Sequence, residues 1–296
     1  MRLPNILKEA IEEKIAGLSA RKLAIFSKIL SDRYRENKKN KGLFISSEED
    51  HFAYLVARLP ATYGAIFNVL SQVKEKVDSI ESFLDIGTGP GTGFWAAQEI
   101  FNLKLATLVE KEKDLIVLGK SFTDRSNKIR CNWIQKNLEL GSDFITHDLT
   151  LMAYSLGELS IHSRKLVIRN LWEASDKVLV LIEPGTPAGF SRILEARTWL
   201  NSWGAHLLAP CPHQNRCPLA ETDWCHFSER IERSSLHRLA KRAELNYEDE
   251  KFSYIIISKE PHKIAPYDRV IRHPFKGSGF VKFELCTHDG TLEKKT

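Results

Sequence analysis

The sequence predicts an α/β fold: a mostly parallel sheet flanked by helices, a helical region before it, and short strands after it that bring a fourth cysteine to a metal-binding loop. Three observations predict this. Apolar residues recur at helical spacing from residue 4 to 76. From residue 82, short apolar strands alternate with helical segments, the pattern of a parallel sheet covered on both faces. Cys211, Cys217 and Cys225 fall within one loop rich in Pro, Asn and Arg, and Cys286 lies on a strand about 60 residues further on. The predicted organisation is a helical region at 1–78, a core at 79–260 with a cysteine loop inserted at 209–228, and terminal strands at 261–296.

The bulk numbers set the class. A chain of 296 residues, 43% apolar and 27% charged, has the composition of a globular protein. No apolar run reaches the roughly 18 residues a bilayer span requires, so no membrane is expected. The start, Met1-Arg2-Leu3-Pro4, lacks the apolar stretch of a secretory signal, and Glu9, Glu12 and Glu13 do not suit an acid-poor transit peptide. A cytoplasmic, monomeric protein of bacterial origin is the expectation. The net charge of +5 is compatible with a nucleic-acid partner and is not specific for one. Five cysteines in a reducing compartment point to metal rather than to disulfides.

In chain order, Ile6, Leu7, Ala10, Ile11 and Ile15 make one apolar helical stripe. Ser19 suits the cap of a second helix, with Leu23, Phe26 and Leu30 inward and Ile25 and Ile29 widening the apolar side. A basic loop follows: Arg33, Arg35, Lys38, Lys39 and Lys41. Ser46 or Ser47 caps a segment through Tyr54, Leu55 and Ala57, which Pro60 is expected to break or kink. The next helix carries Tyr63, Ile66, Phe67, Leu70 and Val73. Strands are predicted at 82–86, 105–109, 148–154, 177–182, 206–209 and 252–257, with a weakly marked one at 129–134. Thr186-Pro187 opens a helix, hydroxyl at the cap and proline in the first turn. The alternation in Val281-Lys282-Phe283-Glu284-Leu285 reads as a half-exposed strand.

The chemistry starts at Leu84-Asp85-Ile86-Gly87-Thr88-Gly89-Pro90-Gly91-Thr92-Gly93, which joins a strand to a helix. Glycines let a backbone turn sharply and approach a ligand closely. Glu110 ends the next strand, where a carboxylate can accept the ribose hydroxyls of an adenosine. A dinucleotide is one candidate ligand, but its G-x-G-x-x-G fingerprint secures a pyrophosphate. Here Gly87, Gly89, Gly91 and Gly93 alternate, and Asp85 precedes them. This resembles motif I of class I methyltransferases, whose acid holds the methionine amino group of S-adenosylmethionine. Asp85, Gly87, Thr88, Gly89, Gly91 and Glu110 are the cofactor-binding candidates; a relic pocket without ligand is the third reading.

Near the methyl group the sequence is less informative. The loop Ala153-Tyr154-Ser155-Leu156-Gly157-Glu158-Leu159 has no D-P-P-Y-type motif and no cysteine nucleophile. Tyr154 and Glu158 are the candidates there, and no catalytic base is visible. Glu183-Pro184-Gly185-Thr186 can line the pocket, with Thr186 equally suited to capping.

The cysteines read C-x5-C-x7-C plus Cys286. Four thiolates complete either a tetrahedral zinc site or a 4Fe–4S cluster. His213 and His226 are alternative ligands, and Cys131 is structural. Residues 228–245 read as a helix on which Arg230, Arg233, His237 and Lys241 form a basic stripe, widened by Arg238 and Arg242. A solvated face neutralised by Glu229 and Glu232 is the alternative. Arg269, Arg272, Lys276 and Lys282 add charges that suit phosphates without reading sequence.

Together these segments resemble a family. Asp50-His51-Phe52-Ala53-Tyr54-Leu55-Val56-Ala57-Arg58-Leu59-Pro60-Ala61-Thr62-Tyr63, the glycine loop, Tyr154 to Leu159, Ile182 to Thr186, Ala209 to His213, Trp224 to Phe227, Arg272-His273-Pro274 and Leu285-Cys286 are similar, in this order, to the Rsm22, or methyltransferase-like protein seventeen, family. The resemblance covers nearly the whole chain. It implies a class I S-adenosylmethionine-dependent methyltransferase fold, Rossmann-like, with added helical and cysteine modules. It implies a 4Fe–4S cluster on Cys211, Cys217, Cys225 and Cys286, and association with small-subunit ribosomal RNA. The expected function is an rRNA methyltransferase acting in ribosome assembly or translation; the alternative is a non-catalytic assembly factor that binds rRNA.

Overall fold

The computed structural model describes residues 1–35, 45, 47–126, 129–140, 143–219, 223–241, 243–262 and 267–296. Lys38, Lys39, Lys41, Ser46, Arg242 and Pro266 lie outside the described residues, as does the side chain of Arg35.

The chain begins with α1 (Asn5–Lys14), α2 (Ala20–Arg35) and α3 (Glu48–Ala53). The predicted cap of α2 is present, with Ser19 Oγ accepting from the Lys22 N–H. Ser47 caps α3 by accepting from the Asp50 N–H. Leu7, Ala10, Ile11, Ile15, Leu23 and Leu30 are buried as expected. Ile6, Ile25 and Ile29 are exposed instead, because the buried stripe of each helix is narrower than the run of apolar residues.

Pro60 does not break the next helix. Residues Tyr54–Arg58 form a π-helical turn that runs directly into α4 (Leu59–Lys76). The Leu59 N–H reaches the Tyr54 carbonyl, five residues back. Pro60 follows directly on this widened turn, which accommodates its ring and its missing N–H without ending the helix. A π turn of this kind widens the helix locally and re-aims the side chains it carries.

The main sheet follows, built from β1 (Ser82–Ile86), α5 (Thr92–Ile100), β2 (Leu105–Glu110), α6 (Lys113–Thr123), β3 (Cys131–Gln135), β4 (His147–Ala153), α7 (Ile161–Glu173), β5 (Ser175–Pro184), α8 (Pro187–Ser202), β6 (His206–Ala209), β7 (Phe227–Glu232), α9 (Ser235–Lys241) and β8 (Tyr247–Ser258). Its order is β3-β2-β1-β4-β5-β8-β6, with β7 also pairing β8. Strands β1 to β5 are parallel; β8 runs antiparallel to β5, β6 and β7. Alternate residues serve opposite faces. Phe83, Leu108, Leu151 and Val180 join the core under α4, α5, α6 and the N-terminal helices. Leu84, Ile86, Val109 and Leu181 join a second core under α7 and α8. The N-terminal helices thus share one continuous core with a sheet face. This is the Rossmann-like sheet of class I methyltransferases, with its late antiparallel strand.

Residues 228–245 are not a helix. β7 makes a six-residue antiparallel ladder with β8, and α9 spans only the seven residues Ser235–Lys241. The alternation Phe227-Ser228-Glu229-Arg230-Ile231-Glu232 suits an edge strand, and strand pairing overrides the three-and-four spacing of the basic residues.

A second sheet closes the chain: β9 (Arg269–Val270), β10 (Phe275–Gly277), β11 (Phe280–Cys286) and β12 (Leu292–Lys295), with β11 pairing all three others. It is clasped to the cysteine loop by Arg272, which bonds the Asp223 carboxylate and the Trp224 carbonyl, and by Asn215, which donates to the Asp289 carbonyl at 2.9 Å. Among the described residues, no helix is long and apolar enough to cross a membrane.

Candidate functional site

In an open α/β sheet, ligands sit beyond the carboxyl ends of the strands, where the strand order reverses. Here that point lies between β1 and β4, and the glycine loop leaves β1 directly into it. Gly87, Gly89 and Gly91 all have positive φ, 65°, 56° and 88°, so the tight path needs residues without a Cβ. Gly87 and Gly89 stay partly exposed at the mouth, whereas Gly91 is buried against Thr123 and Trp133. Gly91 therefore serves packing below the loop.

Asp85 is 2% exposed and turned under the loop. Its Oδ2 accepts from the Thr88 hydroxyl at 2.5 Å, and the Phe94 and Gly93 N–H groups also point at it. The carboxyl stabilises the N-terminus of α5. Burial nevertheless pushes its pKa up to about 7. The fourth glycine of the run is explained by this contact, since a Cβ on Gly93 would stand 2.4 Å from Asp85 Oδ2.

Glu110, at the end of β2, faces the loop from the other side. Its Oε2 accepts from the Gly89 N–H at 2.9 Å, and Oε1 accepts from Lys111 and Glu112 at 2.8 and 3.1 Å. Burial raises its pKa while these N–H groups pull it down. A carboxylate offers about four acceptor positions, so Glu110 retains capacity for a further donor.

The β4 side of the crevice is closed by a loop. Ser155 Oγ donates to the Gly87 carbonyl at 3.2 Å, bridging β1 and β4 at the point of reversal. Glu183, only 1% exposed, anchors that loop: Oε1 accepts from the Leu156 N–H at 3.1 Å and Oε2 from Arg192 Nε at 2.5 Å. Thr186 is a helix cap, accepting from the Gly189 N–H. Tyr154 has φ 59°, the one positive value for a non-glycine among the described residues. Its hydroxyl donates to Glu250 Oε1 at 3.1 Å, and the Arg58 guanidinium lies 5.8 Å from its ring centroid and 3.4 Å from the same carboxylate oxygen. Burial pushes the Tyr154 pKa well above the ordinary tyrosine value, so it is a proton donor to Glu250. Glu158 lies 3.5 Å from Lys111 Nζ.

Four residues of this mouth escape sequence reading: Tyr54, Arg58, Ser155 and Glu250. Tyr54 brings its hydroxyl to within van der Waals range of a Cβ built on Gly89, at 3.7 Å. Tyr54 and Arg58 both come from the π-helical turn, and no helical periodicity forecasts where a π turn aims its side chains. The only signal was their place in the segment Asp50 to Tyr63.

The predicted cysteines do come together. Cys211, Cys217, Cys225 and Cys286 line one cavity of ≈ 40 Å³, flanked by Arg197 and Arg269. Burial raises the pKa of Cys211, and pushes Cys225 and Cys286 up to about 12. Among the described residues, no three His, Cys, Asp or Glu side chains close tightly enough to hold a metal ion. His213 is buried with Nε2 3.3 Å from Cys286 Sγ. His226 stacks on Trp224 and does not line the cavity. Cys131 lies apart on β3, half-buried, with a thiol that burial lifts to about 12.

Four members of the expected basic stripe meet carboxylates, while Arg238 is exposed. Arg230 makes two bonds to Asp249 at 2.8 and 3.0 Å, while Arg233, His237 and Lys241 all converge on Glu248. Pairing β7 with β8 sets Asp249 directly opposite Arg230 and carries Glu248 to Arg233 and Lys241.

The sheet order and the glycine loop at its reversal point define a class I methyltransferase-like protein. The chain belongs to the Rsm22 family: the family described as "Mitochondrial small ribosomal subunit Rsm22" matches residues 48–296. Among curated relatives, human "Ribosome assembly protein METTL17, mitochondrial" is 26% identical over 81% of this chain and 56% of its own length. The fission-yeast "Rsm22-cox11 tandem protein 2, mitochondrial" is 26% identical over 82% of this chain and 39% of its own. The chain thus spans about half or less of the relatives it matches. Similar solved structures include magnesium protoporphyrin IX methyltransferase from Synechocystis with S-adenosylmethionine bound, at TM-score 0.45 and 11% identity over 83% of this chain and 99% of that one. Another is the N-methyltransferase NodS from Bradyrhizobium japonicum, at TM-score 0.45 and 14% identity over 72% and 93%.

Proposed function

We propose that this chain is an S-adenosylmethionine-binding, iron–sulfur assembly protein of the small ribosomal subunit that acts by binding rRNA. The observation that carries the reading is the convergence of Cys286, on the second sheet, with Cys211, Cys217 and Cys225 around one cavity. Four thiols around one cavity suit either a tetrahedral zinc or a 4Fe–4S cluster, and the family resemblance of the cysteine motif favours the cluster. Arg197 and Arg269 offset the negative charge of such a site. A cluster there would tie the cysteine loop to the second sheet and supply folding energy. S-adenosylmethionine would lie over Gly87 and Gly89, with Glu110 as hydroxyl acceptor. The names of the relatives and of the family support the ribosomal partner.

The test is anaerobic purification with iron, sulfide and zinc quantified. Brown protein with iron and sulfide in equal amounts is expected. The Cys225→Ser variant is expected to lose both the colour and several degrees of melting temperature. Colourless protein with one zinc would retire the cluster, and failure to co-sediment with small subunits would retire the ribosomal reading.

Methyl transfer to rRNA is the second reading, favoured by the exposure of Gly87 and Gly89 at the mouth. Tyr154, committed to Glu250 and Arg58, supplies no base for it. Label passing from S-adenosylmethionine to rRNA of immature subunits would establish this reading. Cofactor binding without label would leave a binding protein.

A further inference from the structure

We propose that the β10–β11 hairpin is a stacking platform for unpaired RNA bases, with Lys282 holding a neighbouring phosphate; this rests on the chain being an rRNA-binding protein. The fold buries Phe83, Phe94, Phe122 and Phe252 completely, yet leaves Phe275 62% and Phe280 38% exposed on this hairpin. The register sets Phe275 opposite Lys282 and Gly277 opposite Phe280, so these four share one face. The outer end of the Phe280 ring occupies the space over Gly277 that a side chain there would fill. The two rings are neighbours, with centroids 6.2 Å apart and planes at 36°. Lys282 Nζ stands 5.2 Å from the Phe280 centroid.

From Arg269 to Phe283 the chain contains no acid. Of its four cations, Arg269 lines the cysteine cavity and Arg272 pairs with Asp223, which leaves Lys276 and Lys282 on the hairpin itself. The acids that bracket this stretch are engaged, Asp268 with Lys295 and His288, and Glu284 with Lys294. Among the described residues, Lys282 has no acidic partner within salt-bridge distance, and Lys276, paired with Val281, lies on the opposite face. An apolar protein partner would leave the Lys282 ammonium facing its surface without compensation. A single strand of RNA satisfies both features at once, because every base offers a π-face and every linkage a phosphate. Paired bases are unavailable to rings displayed side by side on a hairpin, so single strands are selected over duplex.

The test uses the full chain and a short fluorescent single-stranded RNA of mixed sequence, with binding followed by anisotropy over a range of salt. Phe275→Ala and Phe280→Ala are each expected to weaken binding roughly 5- to 150-fold, the range for loss of one base stack, with the salt dependence unchanged. Phe280→Tyr keeps a flat ring and is expected to bind as the parent does. Lys282→Gln is expected to lower the slope of log affinity against log salt by about 0.7, one phosphate's worth on a single strand. Both rings are at the surface, so unchanged melting temperatures confirm that the variants are folded. The proposal is overturned if Phe275→Ala/Phe280→Ala binds single strands as tightly as the parent, or loses affinity equally for duplex. It is also overturned if the double variant keeps its RNA affinity while losing a ribosomal protein, which would make the rings a protein-docking surface. A parent chain that binds no rRNA at all refutes the ribosomal reading. A parent that binds rRNA alongside an unaffected double variant refutes the platform alone.

Discussion

Replacing Arg192 by Met isolates the ion pair that anchors the β4 loop. Glu183 is almost wholly buried and has two partners, the Arg192 guanidinium and the Leu156 N–H. Burial raises its pKa, with Arg192 working against that rise. Arg192→Met keeps most of the stem but strands the carboxylate. Removing one partner of a buried pair typically costs about 3–5 kcal/mol. The Arg192 side chain is 20% exposed, so water compensates in part and the lower end, about 3 kcal/mol, is expected. That is a large share of a typical total near 5–15 kcal/mol. The assay is urea unfolding at pH 8 and at progressively lower pH. Without Arg192 the carboxyl pKa climbs further, so Glu183 takes a proton sooner in the folded variant than in the parent. A neutral carboxyl no longer carries the burial penalty, and the deficit shrinks as pH falls. Glu183→Gln/Arg192→Met should recover most of the loss, since glutamine still accepts from Leu156. Arg192→Met within about 0.5 kcal/mol of the parent, the usual range for surface changes, would refute the reasoning. So would an equal loss in the Glu183→Gln background.

Two further outcomes follow from the glycine loop. Asp85 has a folded pKa of about 7 against an ordinary 3.8. The folded state therefore holds a proton the unfolded chain has released. Stability falls as pH rises between those values, by up to about 1.4 kcal/mol per pH unit. Asp85→Asn should flatten that slope, as measured by unfolding from pH 4 to pH 8, leaving the part contributed by Glu110 and Glu183, whose pKa values burial also raises; a slope equal to the parent's would refute the assignment to Asp85. Gly93→Ala would place a Cβ 2.4 Å from Asp85 Oδ2 and 2.7 Å from Leu151 Cδ2. Overpacking of this kind costs about 1–3 kcal/mol, and S-adenosylmethionine affinity by calorimetry should fall with it, because the Asp85 carboxyl must shift. Unchanged stability would mean that the loop absorbs the methyl freely.

Much of the fold was legible because it is written in local patterns. The strand at 82–86, the glycines after it, the Thr186-Pro187 helix start and the alternation of β11 each state their structure within a few residues. The failures have one cause. Arg230, Arg233, His237 and Lys241 are spaced as on a helix, but β8 was available to pair with residues 227–232, and a ladder that sets Asp249 opposite Arg230 and brings Glu248 to Arg233 and Lys241 won. Ile25 and Ile29 look like core residues, yet among the described residues that side of α2 stays exposed.

The sequence by itself nominated the candidate site residues, Asp85, the glycine run, Glu110 and the four cysteines, because turning tightly, accepting hydrogen bonds and offering thiols are properties of residue types. Their arrangement belonged to the tertiary structure alone. Folding turned Asp85 beneath its loop, bonded Ser155 across the strand reversal, carried Tyr54 and Arg58 to the mouth on a π turn, and brought Cys286 to the other thiols. Each of these contacts joins residues whose meeting depends on sheet order and packing, and sequence spacing contains no measure of either.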